Sequence, residues 1–208
     1  MPGLASQKFV EIEDIKDNVV IMKNGTLRAV LACSSINFAL KSEDEQNAIL
    51  YQFQNFLNSL DFPVQFIVQS RKINIEDYLK NLEKIEEGQE NELLKLQISE
   101  YREFIRALVE GTNIMEKDFY LVVPFSVFET KGAKGISTIL GGGKSFKINE
   151  EDFQRARSQL AQRIEFVSQG IRRCGIHSVV LQDRELIELF WARYNPKSAE
   201  MGGVPQIS

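Results

Sequence analysis

The stretch NVVIMKNGTLRAVLAC, residues 18–33, constrains the fold more than any other part of this 208-residue chain. Two apolar runs rich in β-branched residues flank Asn24-Gly25. That dipeptide readily takes the positive φ angles of a type I′ turn, whose twist matches the twist of paired strands. The pattern predicts a β-hairpin, and so a sheet to which the rest of the chain must add. Just before it, KFVEIEDI alternates Phe9, Glu11 and Glu13 against Val10 and Ile12, which predicts a short edge strand.

The period then changes. Ser42, with Glu45 three positions on, forms the sequence of a capping box. Ile49, Phe53, Phe56, Leu57 and Leu60 follow at helical spacing, and Asp61-Phe62-Pro63 ends the helix. VQFIVQS reads as a strand. From about Ile75 to Glu110 the chain is helical, with one stripe of Tyr78, Leu79, Leu82 and Ile85. A second stripe holds Leu94, Ile98, Tyr101, Ile105 and Leu108. Between them EKIEEGQENE is polar and contains Gly88, so it predicts a bend or the tip of a helical arm. The heptad-like stripe suits packing on the chain's own sheet or docking of a partner helix. KDFYLVVPF reads as the most buried strand. Asn149 or Glu150 opens another helix, stopped at Gly175. IHSVVLQ is a strand, and a last helix starts with Asp183 as N-cap and ends at Pro196.

This order predicts an α+β (or α/β) sandwich, with a mixed sheet of about five strands covered by helices. It places one domain over residues 1–196, with a flexible loop at about 127–148 and a disordered tail at 197–208. No apolar h-region opens the chain, and no apolar run has the length of a membrane span. The net charge of -4 argues against a surface that grips nucleic acid throughout. Cys33 and Cys174 read as free core thiols in a reducing compartment. With one histidine, His177 in a strand, and no CxxC or HxxxH spacing, a metal site is not expected.

Gly143-Lys144-Ser145 ends like a phosphate-binding P-loop, but the leading glycine of that motif should stand at position 138, which is Thr138. The next helix begins near Asn149 rather than at the Gly-Lys-Ser. Its N–H groups would then not converge on a phosphate. The nearest second carboxylate, Asp183, reads as a helix cap. A glycine-rich surface loop is the simpler reading, with a nucleotide-binding protein as the alternative. No cofactor and no catalytic residue is expected. Acidic groups at Asp44/Glu45 and Glu150/Glu151/Asp152 stand at helix starts, where they favour the macrodipole.

Between residues 131 and 173 nine Lys/Arg face four acids. Lys144, Lys147, Arg155, Arg172 and Arg173 are the candidates for anion contact, to DNA phosphates or lipid headgroups. A solvated helix face and an acidic partner remain alternatives. For protein contact the candidates are the arm tip, with Glu86, Gly88 and Glu90, and the end of the last helix, with Trp191 and Tyr194.

Two long ordered segments, VEIEDIKDNVVIMKNGTLRAVLACSSINFALKSEDEQ and YQFQNFLNSLDFPVQFIVQSRKINIEDYL, resemble the N-terminal domain of TraC/TraE-type conjugative-transfer ATPases. These are the VirB-system ATPases of type IV secretion. NIMEKDFYLVVPF and QGIRRCGIHSVVLQDRELIELFWARYNP extend the resemblance in the same order, over residues 7 to 196. The resemblance implies a non-enzymatic interaction or scaffold domain without the family's P-loop motor. It further implies a bacterial, cytoplasmic protein, peripheral at the inner membrane. There it would dock to a secretion ATPase, to inner-membrane channel proteins or to copies of itself. No catalytic residue of the family has a matching position here.

Overall fold

The computed structural model describes residues 11–73, 75–112, 114–127, 129 and 148–195. Gly143-Lys144-Ser145, Lys147, most of the predicted loop and the predicted tail lie outside them. The strands are β1 (Ile12–Lys16), β2 (Val19–Met22), β3 (Thr26–Cys33), β4 (Gln65–Lys72), β5 (Met115–Ser126) and β6 (Ser178–Val180). The α-helices are α1 (Glu43–Ser59), α2 (Glu76–Glu87), α3 (Glu92–Gly111), α4 (Glu150–Arg172) and α5 (Asp183–Tyr194). The chain divides into two compact units. One comprises Met1–Val68 and Phe119–Ile187, the other Gln69–Asp118 and Glu188–Ser208.

The α+β expectation holds, with one difference in the sheet. It has six strands in the order β1-β2-β3-β5-β4, with β6 also on β3, and it is antiparallel rather than mixed. The crossover β3–α1–β4 would make parallel neighbours if the two strands touched. Instead β5 lies between them, pairing with β3 residue for residue from Thr26↔Ser126 to Cys33↔Phe119. The other edge of β3 is shared. Arg28 and Leu27 pair with β2, while Leu31, Ala32 and Cys33 pair with β6.

The hairpin around Asn24-Gly25 forms, but not with a type I′ turn. Only Gly25 has a positive φ (78°), and its N–H donates to the Met22 carbonyl at 2.9 Å. This is a three-residue connection with glycine in the left-handed position, steadied by the Thr26 N–H donating to Asn24 Oδ1. The two-residue turn with both φ angles positive lies one strand earlier, at Asp17 (56°) and Asn18 (64°). It joins β1 to β2, with Lys16 opposite Val19. The predicted edge strand is therefore β1 (Ile12–Lys16), and Phe9 and Val10 of the alternation lie outside the described residues. Asp183 is the first residue of α5 rather than its cap. The Asn18 N–H donates to its carboxylate at 2.6 Å, and the Asp183 N–H donates to Asn18 Oδ1 at 3.1 Å. The cap-like bond runs one residue earlier, from the Gln182 N–H to Glu185.

The core sits between one face of the sheet and α4. Leu27, Ala29 and Leu31 of β3 and Leu121, Val123 and Phe125 of β5 alternate onto that face. Phe153, Ala156, Leu160, Val167 and Ile171 come down on it from α4, at steps of three, four and seven. Each large side chain buried there stabilises the fold by about 1.5–3 kcal/mol. The Ser42–Glu45 capping box of α1 forms in both directions, and that helix delivers Phe56 to the core. Leu57, expected on the same stripe, is exposed. At Gly170 the Phe56 ring comes so close that a Cβ would lie 2.3 Å from Cδ2. Asn149 caps α4 by accepting from the Asp152 N–H, and Gly175, with φ 81°, closes the turn after it.

Candidate interaction surfaces

The predicted bend at Gly88 is the turn of a helical hairpin. α2 stops at Glu87, and the Gly88 N–H donates to the Lys84 carbonyl. Asn91 then starts α3, its Oδ1 accepting from the N–H groups of Leu93 and Leu94. This satisfies two of the donors a helix start leaves free. The two helices pack antiparallel. Arg102 of α3 reaches Glu83 (3.2 Å) and Glu86 (3.4 Å) of α2, and the Tyr78 hydroxyl donates to the Tyr101 hydroxyl at 3.3 Å. That hydroxyl contact raises the Tyr78 pKa above the ordinary tyrosine value.

Of the proposed tip residues, Gly88 and Glu90 are exposed, while Glu86 is turned inward onto Arg102, its side chain 18% exposed. Glu86 therefore belongs to the hairpin's own packing. The heptad-like stripe divides. Ile98 and Ile105 are partly buried, whereas Leu94, Tyr101 and Leu108 are exposed. Leu93, Leu96 and Phe104, outside the expected stripe, are exposed as well, and on α2 so are Tyr78 and Ile85. On α5, Trp191 is partly buried and its carbonyl accepts from the Asn195 N–H. Tyr194 is exposed.

The described basic candidates do not form one patch. Arg155 lies near the start of α4 and pairs with Glu151 at 3.1 Å. Arg172 and Arg173 are exposed at the far end, about 25 Å away along the helix. Between them, Arg157 faces Asp17 at 4.0 Å. Arg163 pairs with Glu129 at 2.5 Å, donates to the Pro124 carbonyl and lies over the rings of Phe62 and Phe125. Of the described basic residues in that stretch, Arg155, Arg157 and Arg163 are thus paired within the chain. At the N-terminus of α4, Glu150 accepts from Gln154 and from Lys16, and both hydrogen bonds lower its pKa.

One feature escaped the sequence. In the unit holding the sheet, a half-open apolar cavity of about 260 Å³ is lined by Cys33, Phe53, Phe66, Val68, Phe119 and Ile171, among others. Its walls come from β3, α1, β4, β5 and α4, so no local motif announces it. Burial raises the Cys33 thiol pKa, which keeps the group protonated. Both cysteines are free. Among the described residues no group of three or more His, Cys, Asp or Glu could hold a metal ion. No described helix is long and apolar enough to cross a membrane.

A family model described as an archaeal TraC-like domain matches residues 13–196. The match covers the TraC-like part of the resemblance and does not extend to the bacterial VirB/TraE-type assignment. No curated protein matches the chain.

Proposed function

The chain belongs to the archaeal TraC-like domain family, and on that premise we propose that it is a non-catalytic docking domain of a conjugation-related DNA-transfer apparatus. In this reading it works as the N-terminal domains of VirB-system ATPases are expected to work. It holds a P-loop motor or membrane channel subunits in place, at the cytoplasmic face of the membrane. The observation that carries the reading is the α2–α3 hairpin, a well-capped element with a row of large apolar side chains exposed along it. A solvent-facing row of that size is characteristic of interaction sites.

The test is reconstitution. The chain is co-expressed with the P-loop motor and membrane subunits encoded at the same transfer locus, and complexes are resolved by size. A stoichiometric complex with the motor or a channel subunit is the expected result. Failure of every such pair to associate, with all components folded, would overturn the reading.

A further inference from the structure

Resting on that docking reading, we propose that the exposed face of the α2–α3 hairpin receives one helix of a partner protein, amphipathic and basic, as the third member of a three-helix bundle. The geometry comes first. The antiparallel pairing that brings Tyr78 to Tyr101 brings Ile85, seven residues on, level with Leu94, seven residues back. Leu108 continues the series by another seven. Side chains seven apart share one helix face, so these five form a double row along the hairpin. The three positions on α3 span about 21 Å. All five are exposed, between 42% (Leu108) and 56% (Ile85), and Leu93 and Phe104 widen the row on α3. Together the seven side chains leave on the order of 800 Å² in water, about what one partner of a standard interface buries.

Spacing of this kind selects a helix as occupant. An extended strand would need alternate residues and a free sheet edge, neither of which the hairpin offers. A partner helix lying in the groove between α2 and α3 would place its own apolar residues three, four and seven apart against the double row.

Charge then separates the candidate helices. Residues 76–111 hold ten acids and five bases. Arg102 is already engaged by Glu83 and Glu86, and Lys80 lies 3.6 Å from Asp77. Glu100 is exposed and, four residues before Phe104 and seven after Leu93, borders the widened row on α3. A second copy of this hairpin would bring the same acidic excess, ten acids against five bases, against itself. A helix with lysine or arginine beside its apolar seam meets the opposite charge and is favoured over both an acidic helix and self-pairing.

The test uses the full chain and a labelled peptide of about 20 residues, with leucine at the seam positions and lysine at the flanking ones. A matched peptide carries glutamate at the flanks. Binding is followed by fluorescence anisotropy. The lysine peptide is expected to bind at least about tenfold more tightly than the glutamate peptide. Leu94→Gln/Leu108→Gln, at exposed positions, is expected to weaken it by about tenfold or more while circular dichroism stays unchanged. Glu100→Lys is expected to weaken the lysine peptide alone.

Equal binding of both peptides, or binding untouched by Leu94→Gln/Leu108→Gln, overturns the inference. So does sedimentation showing a dimer of the chain that this double variant dissolves, since the face would then belong to a second copy. The locus complex of the preceding section is scored separately with the same variant. A complex that forms undiminished removes this inference and leaves the docking reading standing. Absence of any complex with the native chain, while the lysine peptide still binds, removes the docking reading instead.

Discussion

α4 and α3 are helices of similar length, 23 and 20 residues, with opposite fates. α4 buries five side chains, and among the described side chains of α3 none is buried. Yet α3 carries more large apolar residues than α4 does. The difference lies in what stands opposite. α4 faces a sheet that presents Leu27, Ala29, Leu31, Leu121, Val123 and Phe125, while α3 packs against α2 and keeps Leu93, Leu94, Leu96, Tyr101, Phe104 and Leu108 exposed. A helix's sequence gives the direction of its apolar face. It does not say how much of that face the rest of the chain can cover.

The sharpest way to break this comparison is Leu160→Ala, at a position with no exposure in the middle of α4. It should cost about 2–5 kcal/mol, read by urea denaturation. A loss below about 1 kcal/mol would mean that α4 is not the helix on which the core depends. Gly170→Ala comes next. The new methyl would strike the ring of Phe56, which is itself 3% exposed and has nowhere to go. Overpacking of this kind costs about 1–3 kcal/mol. An unchanged thermal midpoint would show that α1 and α4 are not in contact there.

A smaller effect is expected at the cap of α1. Ser42→Ala removes the acceptor of the Glu45 N–H and should cost about 1 kcal/mol. The same box gives a pH signature. Hydrogen bonds from the Ser42 backbone and side chain, then from Lys41, hold the Glu45 pKa below its usual value. Its contribution is therefore complete above the ordinary glutamate range and is lost as pH falls through the lowered native value. In Ser42→Ala that part of the acid limb of the stability curve should shrink by the hydroxyl's share, while the backbone N–H of residue 42 keeps the rest. The smallest change belongs to α3. Leu94→Gln/Leu108→Gln should alter stability by no more than about 0.5 kcal/mol. A larger loss would show that the exposed row is covered within the chain itself and would erase the contrast with α4.

Features governed by neighbours in sequence were legible without a structure. The capping box at Ser42, the cap at Asn149, the break at Gly88 and the stop at Gly175 each depend on a few adjacent residues, and each is found. The turn at Asp17-Asn18 carries no such signal because no glycine marks it. Two residues with short polar side chains take the left-handed conformation in its place. Asp183 has the type and position of a cap, but a turn 165 residues away claims its carboxylate. The interaction candidates fared unevenly for the same reason. Glu86 and Gly88 are close in sequence, yet whether a glutamate at the tip points outward depends on Arg102, sixteen residues later. The cavity beside Cys33 draws on five elements and left no trace in any one of them.

The shared edge of β3 also sets an order of events at the ribosome. The α2–α3 hairpin is local and can close as soon as its own residues have emerged. β3 cannot be completed so early. Its partner β5 begins at Met115, and β6, which takes up Leu31 to Cys33, ends at Val180. At about 5–20 residues per second, the last of these neighbours arrives on the order of 10–30 s after β3 itself has been made. Throughout that interval Leu27, Ala29 and Leu31 belong to an apolar strand with an unpaired edge. Nascent chains of this protein are therefore expected to need that edge shielded until β6 has emerged and paired with Leu31 to Cys33.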